Sequence, residues 1–232
     1  MSSMPNAIIS YIEMCRREGV SLQRGMNFGL GGNHSVILMS LRRNAPYDDQ
    51  LQDEGTVPIY EGHDEPRSSR VPDPKRVDQP ERTPAGGLTQ NGLFWRAAEE
   101  AKASLRPPER VRVYEKLRQG IWSYNEVFHL VDAWRQESNR RQVFKFKLVA
   151  VEGEDNLDLP ARLDAARRRV IPPQVKLEVW KRDDGRCVLC GATDELHFDH
   201  IVPYSRGGTS LVAENIQLLC ARHNIQKRDQ IQ

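Results

Sequence analysis

Long hydrophobic runs are missing from this sequence, and so is any excess of charge of one sign. No stretch approaches the roughly 20 apolar residues that a membrane-spanning helix needs, and the N-terminus lacks the charged-then-apolar pattern of a secretory leader. A soluble, cytoplasmic protein is therefore expected. Against 34 Lys and Arg stand 32 Asp and Glu, a formal charge of only +2, so the total says little about partners. Cysteine is scarce as well, with four in 232 residues. Three of them lie at metal-ligand spacing near the C-terminus and Cys15 stands alone, which argues against a disulfide framework and for a reducing compartment. Cys15 reads as a small buried hydrophobe.

What is present is unevenly spread. Basic residues gather at Arg106, Arg110, Arg112, Lys116 and Arg118, at Arg135, Arg140, Arg141, Lys145 and Lys147, and at Arg162 with Arg167, Arg168 and Arg169, while acids concentrate between Tyr47 and Glu65. Such segregation permits a nucleic-acid face, and solvated strand edges would give similar clusters. The length leaves room for two modest domains.

Residues 5 to 19 read as an amphipathic helix with Asn6 as cap, Ile8, Tyr11, Ile12 and Cys15 on one face and Gly19 as stop. A turn-rich stretch through His34, taken as a loop residue, leads to a buried strand at 35–40. Residues 62–87, rich in Pro, Asp, Arg and Ser, have little to bury and read as a surface excursion or flexible insertion. Gln90-Asn91-Gly92 reads as a turn before a helix carrying Leu93, Phe94, Ala97, Ala101 and Leu105. Strand patterns follow at 111–114, 127–131 and 143–149, the last with Phe144, Phe146 and Leu148 on one face and Lys145 and Lys147 on an exposed opposite face. Pro172-Pro173 opens a helix through Val175, Leu177, Val179 and Trp180.

The C-terminal stretch carries the chemistry. Cys187 and Cys190 form a CxxC knuckle and Cys220 and His223 a CxxH pair, together a Cys₃His set suited to a closed, structural Zn²⁺ site. A second set comprises Asp199, His200, Asn215 and Asn224, oxygen donors and an imidazole that suit a hard divalent ion and a water. The spelling CxxC, DHIxPxxxGG, Asn, CxxHNxxK closely resembles the zinc-stapled HNH nuclease module. That resemblance implies His200 as the general base that activates water, Asp199 and Asn224 as holders of a catalytic Mg²⁺ or Mn²⁺, and Asn215 as the residue that fixes the loop and the imidazole. Relatives mostly carry Cys where this chain has His223, so His223 reads either as the fourth zinc ligand or as the last catalytic-metal ligand.

Several earlier segments resemble, in order, the SRA (YDG) domain that recognises modified cytosine by flipping it out of DNA. They are GMNFGLGGNHSVILMS, APYDDQ, IYEGHD, LTQNGLF, PERVRVYEKL and IWSYNEVFHLVDAW. Tyr124-Asn125-Glu126 stands where the family has its tyrosine-aspartate-glycine signature. The resemblance implies Tyr47 and Tyr60 as the sandwich around a flipped base, Asp49 as acceptor of its exocyclic amine, with Asp48 or Gln50 as alternates, and Gln90 and Asn91 on the DNA-intruding loop.

Fold class is thus expected to be α+β, a β-rich, curved or barrel-like (PUA-like) SRA domain followed by a small ββα-metal HNH domain with structural zinc. The expected divisions are an N-terminal helix at 1–19, a reader at 20–152 containing the 62–87 insertion, a linker at 153–172 and a nuclease at 173–232. The whole resembles bacterial modification-dependent restriction endonucleases. Its expected partner is double-stranded DNA containing 5-methylcytosine or 5-hydroxymethylcytosine, and one catalytic metal per chain suggests a homodimer or two chains loaded independently. The competing readings are an HNH nuclease selective for sequence or structure, and a reader that does not cleave.

Overall fold

The computed structural model describes residues 6–53, 57–150 and 170–227. The expected linker is outside those residues except for its last three, and so is the basic cluster from Arg162 to Arg169. The chain is α+β and its larger part is one twisted sheet. Strands β1 (Ile8–Ser10), β2 (Met26–Leu30), β3 (His34–Met39), β4 (Gln50–Gln52), β5 (Val57–Glu61), β6 (Glu109–Arg118), β7 (Ile121–Ser138) and β8 (Arg141–Ala150) compose it. Their order is β2-β3-β6-β7-β8-β5-β4, with β1 added against β7; β3 and β6 run parallel and the other pairs antiparallel.

The strand patterns explain the sheet. In β6, Val111 and Val113 turn into the core while Arg110 and Arg112 turn outward. Hairpin β7–β8 closes on Asn139 and Arg140, both at positive φ (51° and 65°), a two-residue turn whose twist matches that of the strands it joins. The Tyr124-Asn125-Glu126 segment makes no turn at all. It lies within β7 at a bulge, where pairing with β6 steps from Arg112↔Val127 to Tyr114↔Tyr124 and Glu126 takes φ 86°. Helix α2 (Gln90–Lys102) starts at Thr89, whose hydroxyl accepts from Gly92 N, and lays Phe94, Ala97 and Ala98 on a core of Ile37, Phe128, Phe146 and Leu148.

Four expectations are corrected. The N-terminal helix begins later than the pattern implies: Ile8 and Ile9 form β1 against β7, and Ser10, not Asn6, caps α1 (Tyr11–Glu18) by accepting from Glu13 N. β-branched residues beside an open strand edge favour the ladder over another helical turn. Met14 rather than Ile12 then faces the core, Ile12 being 63% exposed. His34 opens β3 and sits 2.7 Å from the buried Glu18. Lys145 is not on an exposed face; at 1% exposure it is among the most buried side chains. Gln90 and Asn91 are no protruding loop, since both lie in the first turn of α2: Asn91 is buried, bonded to both backbone groups of His63, and Gln90 Oε1 accepts from Phe28 N at 2.7 Å. The 62–87 stretch contains a short 3-10 turn, Pro74–Arg76, and is pinned to β8 by Gln79, Asp64 and Asp78.

The C-terminal module is a hairpin of β9 (Leu196–His200) and β10 (Ile216–Cys220) between helices α3 (Pro173–Arg182) and α4 (Ala221–Lys227). Arg182 donates to Ala213 O and Ile216 O, and Asp183 accepts from Leu218 N, so the end of α3 clamps β10. Its core is not its own: Ile8, Leu117 and Ile121 of the large sheet pack among Ile171, Val175, Val179, Leu196 and Leu218. Ala7 bridges to His197, and Phe198 N donates to Asn6 O at 3.2 Å, so the segment leading into β1 is hydrogen-bonded to β9 while β1 itself pairs with β7. Among the described residues no helix is long and apolar enough to cross a membrane.

Candidate nuclease centre and base pocket

The Cys₃His residues are brought together. The ligand atoms of Cys187, Cys190, Cys220 and His223 all lie within 4.8 Å of one another, with His223 Nδ1 3.4 Å from the sulfurs of both Cys187 and Cys220. Three sulfurs and one imidazole nitrogen at this separation fit a tetrahedral zinc, and the place of His223 in the set favours its zinc reading over the catalytic one. The knuckle is preshaped by backbone bonds, Gly191 N to Cys187 O and Cys187 N to Ala192 O, both 2.8 Å. Burial pushes the Cys187 thiol up, but backbone N–H groups of Cys220, Leu189 and Cys190 and the His223 ring outweigh it and lower the thiol to about 6. A thiolate is the form that binds metal.

Asp199 and His200 end β9. The imidazole Nε2 lies 2.8 Å from Ser210 Oγ. Asn215 holds the intervening loop, accepting from Val202 N at 2.9 Å and donating to Val202 O at 3.1 Å and Thr209 O at 2.9 Å. Gly208 is required there, because a Cβ would meet Val202 O at 1.8 Å. Asn215 thus bonds both sides of the loop, while the Ser210 hydroxyl touches the imidazole. Asp199 Oδ2 pairs with Lys227 Nζ at 2.7 Å, and that ammonium, only 3% exposed, also donates to His200 O. Asn224 lies half-buried one turn before Lys227 on α4, on the same helical face. Ser210 and Lys227 escaped the sequence reading; the lysine of CxxHNxxK was its only trace.

In the large sheet, Tyr47, Asp49 and Tyr60 line one cavity of about 900 Å³ with Arg24, Gly25, Ser40, Arg42 and His63. Asp49 accepts from Ser40 N at 2.9 Å and Glu61 N at 3.0 Å. Burial nevertheless pushes its carboxyl up to about 7, with those two N–H groups and Lys145 opposing. His63 is the residue the sequence reading passed over. Its ring stacks on Tyr47 at 5.0 Å and 11°, while its Nε2 meets the Tyr60 hydroxyl at 2.9 Å. Burial lowers the imidazole to about 4, so it is neutral at physiological pH. Tyr60 is only 1% exposed, and burial raises its phenol well above its usual value. Gly25 closes over this pair: a Cβ there would stand 2.6 Å from the Tyr60 hydroxyl.

Behind the pocket runs an ionic chain, buried from Lys145 to Asp64 and exposed at Lys75. Lys145 Nζ donates to Glu61 Oε2 at 3.0 Å and to Asp48 O at 2.6 Å; Arg141 reaches Glu61 at 3.5 Å and Asp64 at 2.6 Å; Lys75 pairs with Asp64 at 2.8 Å and lies 4.3 Å over the Tyr47 ring. Elsewhere Arg112 pairs with Glu18 and Arg106 with Glu109. Much of the basic residue count that pointed to a nucleic-acid face is thus spent on internal pairs. Asp48 and Gln50, the alternates for Asp49, bond each other at the rim instead.

The HNH endonuclease family model matches residues 187–230. The C-terminal module is an HNH endonuclease domain. No curated protein matches the chain at a significant level. Among solved structures, the chain is similar to the SUVH5 SRA domain in complex with hemimethylated CG DNA, at 21% identity and a TM-score of 0.46 over 68% of this chain and 95% of that one. It is similar over 97% of its length to the modification-dependent restriction endonuclease TagI, at 20% identity and a TM-score of 0.42 over 77% of that chain. Similarity to the type IV phosphorothioation-dependent restriction endonuclease ScoMcrA extends over 99% of this chain and 56% of that chain, at 16% identity and a TM-score of 0.45.

Proposed function

We propose that the chain is a modification-dependent DNA endonuclease, in which the large sheet accepts a flipped 5-methylcytosine or 5-hydroxymethylcytosine and the HNH domain hydrolyses a nearby phosphodiester bond. The observation that carries it is the set of Asp199, His200 and an Asn215-locked loop beside an assembled Cys₃His cluster, all inside the matched HNH domain. The Ser210 hydroxyl, 2.8 Å from Nε2, orients the His200 imidazole, and His200 takes the proton of the attacking water. Among the described residues both contacts of Asp199 fall on Oδ2, which leaves Oδ1, with the Asn224 amide oxygen, to hold Mg²⁺ or Mn²⁺. Such an ion would neutralise charge developing on the leaving 3′ oxygen. Zn²⁺ held by Cys187, Cys190, Cys220 and His223 would be structural.

On the reader side, Asp49 faces the pocket with a carboxyl suited to a cytosine amine, and Tyr47 offers a ring face for stacking. One observation favours the competing reading, a nuclease without modification dependence: His63 already covers Tyr47, so the imidazole has to swing aside before a base can stack between Tyr47 and Tyr60. Digestion of matched plasmids carrying cytosine, 5-methylcytosine or 5-hydroxymethylcytosine, with Mg²⁺ or Mn²⁺, decides between them. Cutting confined to modified plasmids is expected. Equal cutting of all three removes the reader function, and binding without cutting leaves a reader with an inert nuclease.

A further inference from the structure

Lys176 on α3 is 0% exposed, an unusual place for a lysine that serves neither site. Its ammonium donates to Asn125 Oδ1 at 2.6 Å and lies 3.4 Å from Glu115 Oε2. Asn125 in turn donates to Glu115 at 3.0 Å, and Ser123 Oγ donates to Asn125 Oδ1 at 3.1 Å. Lysine comes from the nuclease module and its partners from β6 and the bulge of β7, so this buried polar cluster crosses the boundary between the two parts of the chain. Around it lies the shared apolar core, and at its margin the Arg118 guanidinium covers the Trp180 ring at 5.2 Å.

Apolar contact alone tolerates sliding, because many registers bury similar area. A buried ion pair is a weak source of stability, since desolvation offsets its attraction, but only one arrangement leaves none of its members unpaired. We propose that this lock makes the base pocket and the nuclease centre one rigid body, and that Lys176 is a positioning residue that fixes the cut at a set distance from the recognised base. The proposal rests on the functional reading above. Were a connection of about 20 residues the only link, its r.m.s. span of about 25 Å would scatter cuts over about seven base-pair steps. A docked nuclease has no such freedom.

The test uses the full chain on an end-labelled duplex with a single 5-methylcytosine, beside its unmodified twin, with cuts mapped to the nucleotide. The variants are Lys176→Gln and, since a lone buried Glu115 can unfold the module, the paired Lys176→Met/Glu115→Gln; bound zinc reports folding. Wild type is expected to cut in a narrow window, widening in zinc-retaining variants toward about seven positions with total nicking kept. A wild-type window already that wide, or an unchanged window in both variants, overturns the proposal. Equal cutting of the unmodified duplex overturns the functional reading instead. Small-angle scattering of the DNA-free proteins then still decides the lock: a single compact particle that expands in the variants supports it, and equal dimensions in all of them, or a wild type already extended, refute it.

Discussion

The pocket of the large sheet and the HNH domain solve the same problem, holding polar groups in place, by opposite means. In the pocket, Asp49, Tyr60, Lys145 and Glu61 are set by burial against a broad sheet, and burial raises the Asp49 carboxyl and the Tyr60 phenol. In the nuclease, a two-stranded hairpin offers too little core to hold Asp199 and His200 unaided, so the work passes to a Cys₃His cluster, a locked loop and the neighbouring sheet. The pocket should therefore respond to proton concentration and the nuclease to metal.

The largest expected break is Cys187→Ser. Losing one ligand releases zinc and unfolds the hairpin while the large sheet keeps its own transition, because folding energy in so small a module comes from the metal. Zinc analysis and calorimetry check it, and a zinc-free protein with an intact nuclease would remove the metal from the fold. Next is His200→Ala, which should slow cleavage by about 10²- to 10⁴-fold with zinc and modified-DNA binding retained, as loss of a positioned base does. Near-wild-type cleavage in Mg²⁺ would exclude His200 as the base.

A third test concerns protons. His63, lowered to about 4, takes up a proton on unfolding, so its contribution is lost as pH falls from about 6.5 to about 4. Asp49, raised to about 7, releases one on unfolding, so its contribution is lost as pH rises from about 4 to about 7. In the native chain these two trends oppose each other across that range. Asp49→Asn should unmask a loss on acidification and His63→Gln a loss on alkalinisation, each about 3 kcal/mol at most. Urea unfolding at pH 4.5 and 6.5 reads the signs; parallel profiles in the two variants would mean that the pocket does not set them. The smallest effect expected is discrimination between 5-methylcytosine and cytosine at a single pocket. Burying one methyl group contributes about 0.8 kcal/mol, roughly a fourfold preference, measurable by gel shift. A preference of a hundredfold at one site would require a wall shaped to penalise the empty methyl position.

The nuclease was legible in the sequence because its ligands are local. CxxC, CxxH and the Asp199-His200 pair are spelled within a few residues, and the structure gathers the Cys₃His set as the spacing implies. The strands at 109–150 were legible for the same reason, their alternation being a short-range property. What could not be read depends on partners far along the chain. Lys145 looks solvated until Glu61 is placed beside it, Lys227 until Asp199 is, and Ile8 looks helical until β7 offers it an edge. His63 lay inside the IYEGHD segment, yet nothing in its neighbours tells that its ring would rest on Tyr47.

The N-terminal strand has a consequence for the order of assembly. Ala7 emerges from the ribosome long before its partner His197, so their bridge closes a very long loop. Contacts of such long sequence separation are entropically slow to form. The large sheet, whose β6–β7–β8 hairpins are local, is expected to fold during synthesis, with the seam to β9 sealed only after the last strands appear. A cell making this chain would then hold a folded large sheet before it holds a docked HNH domain, and chains cut short before β9 would carry the first without the second.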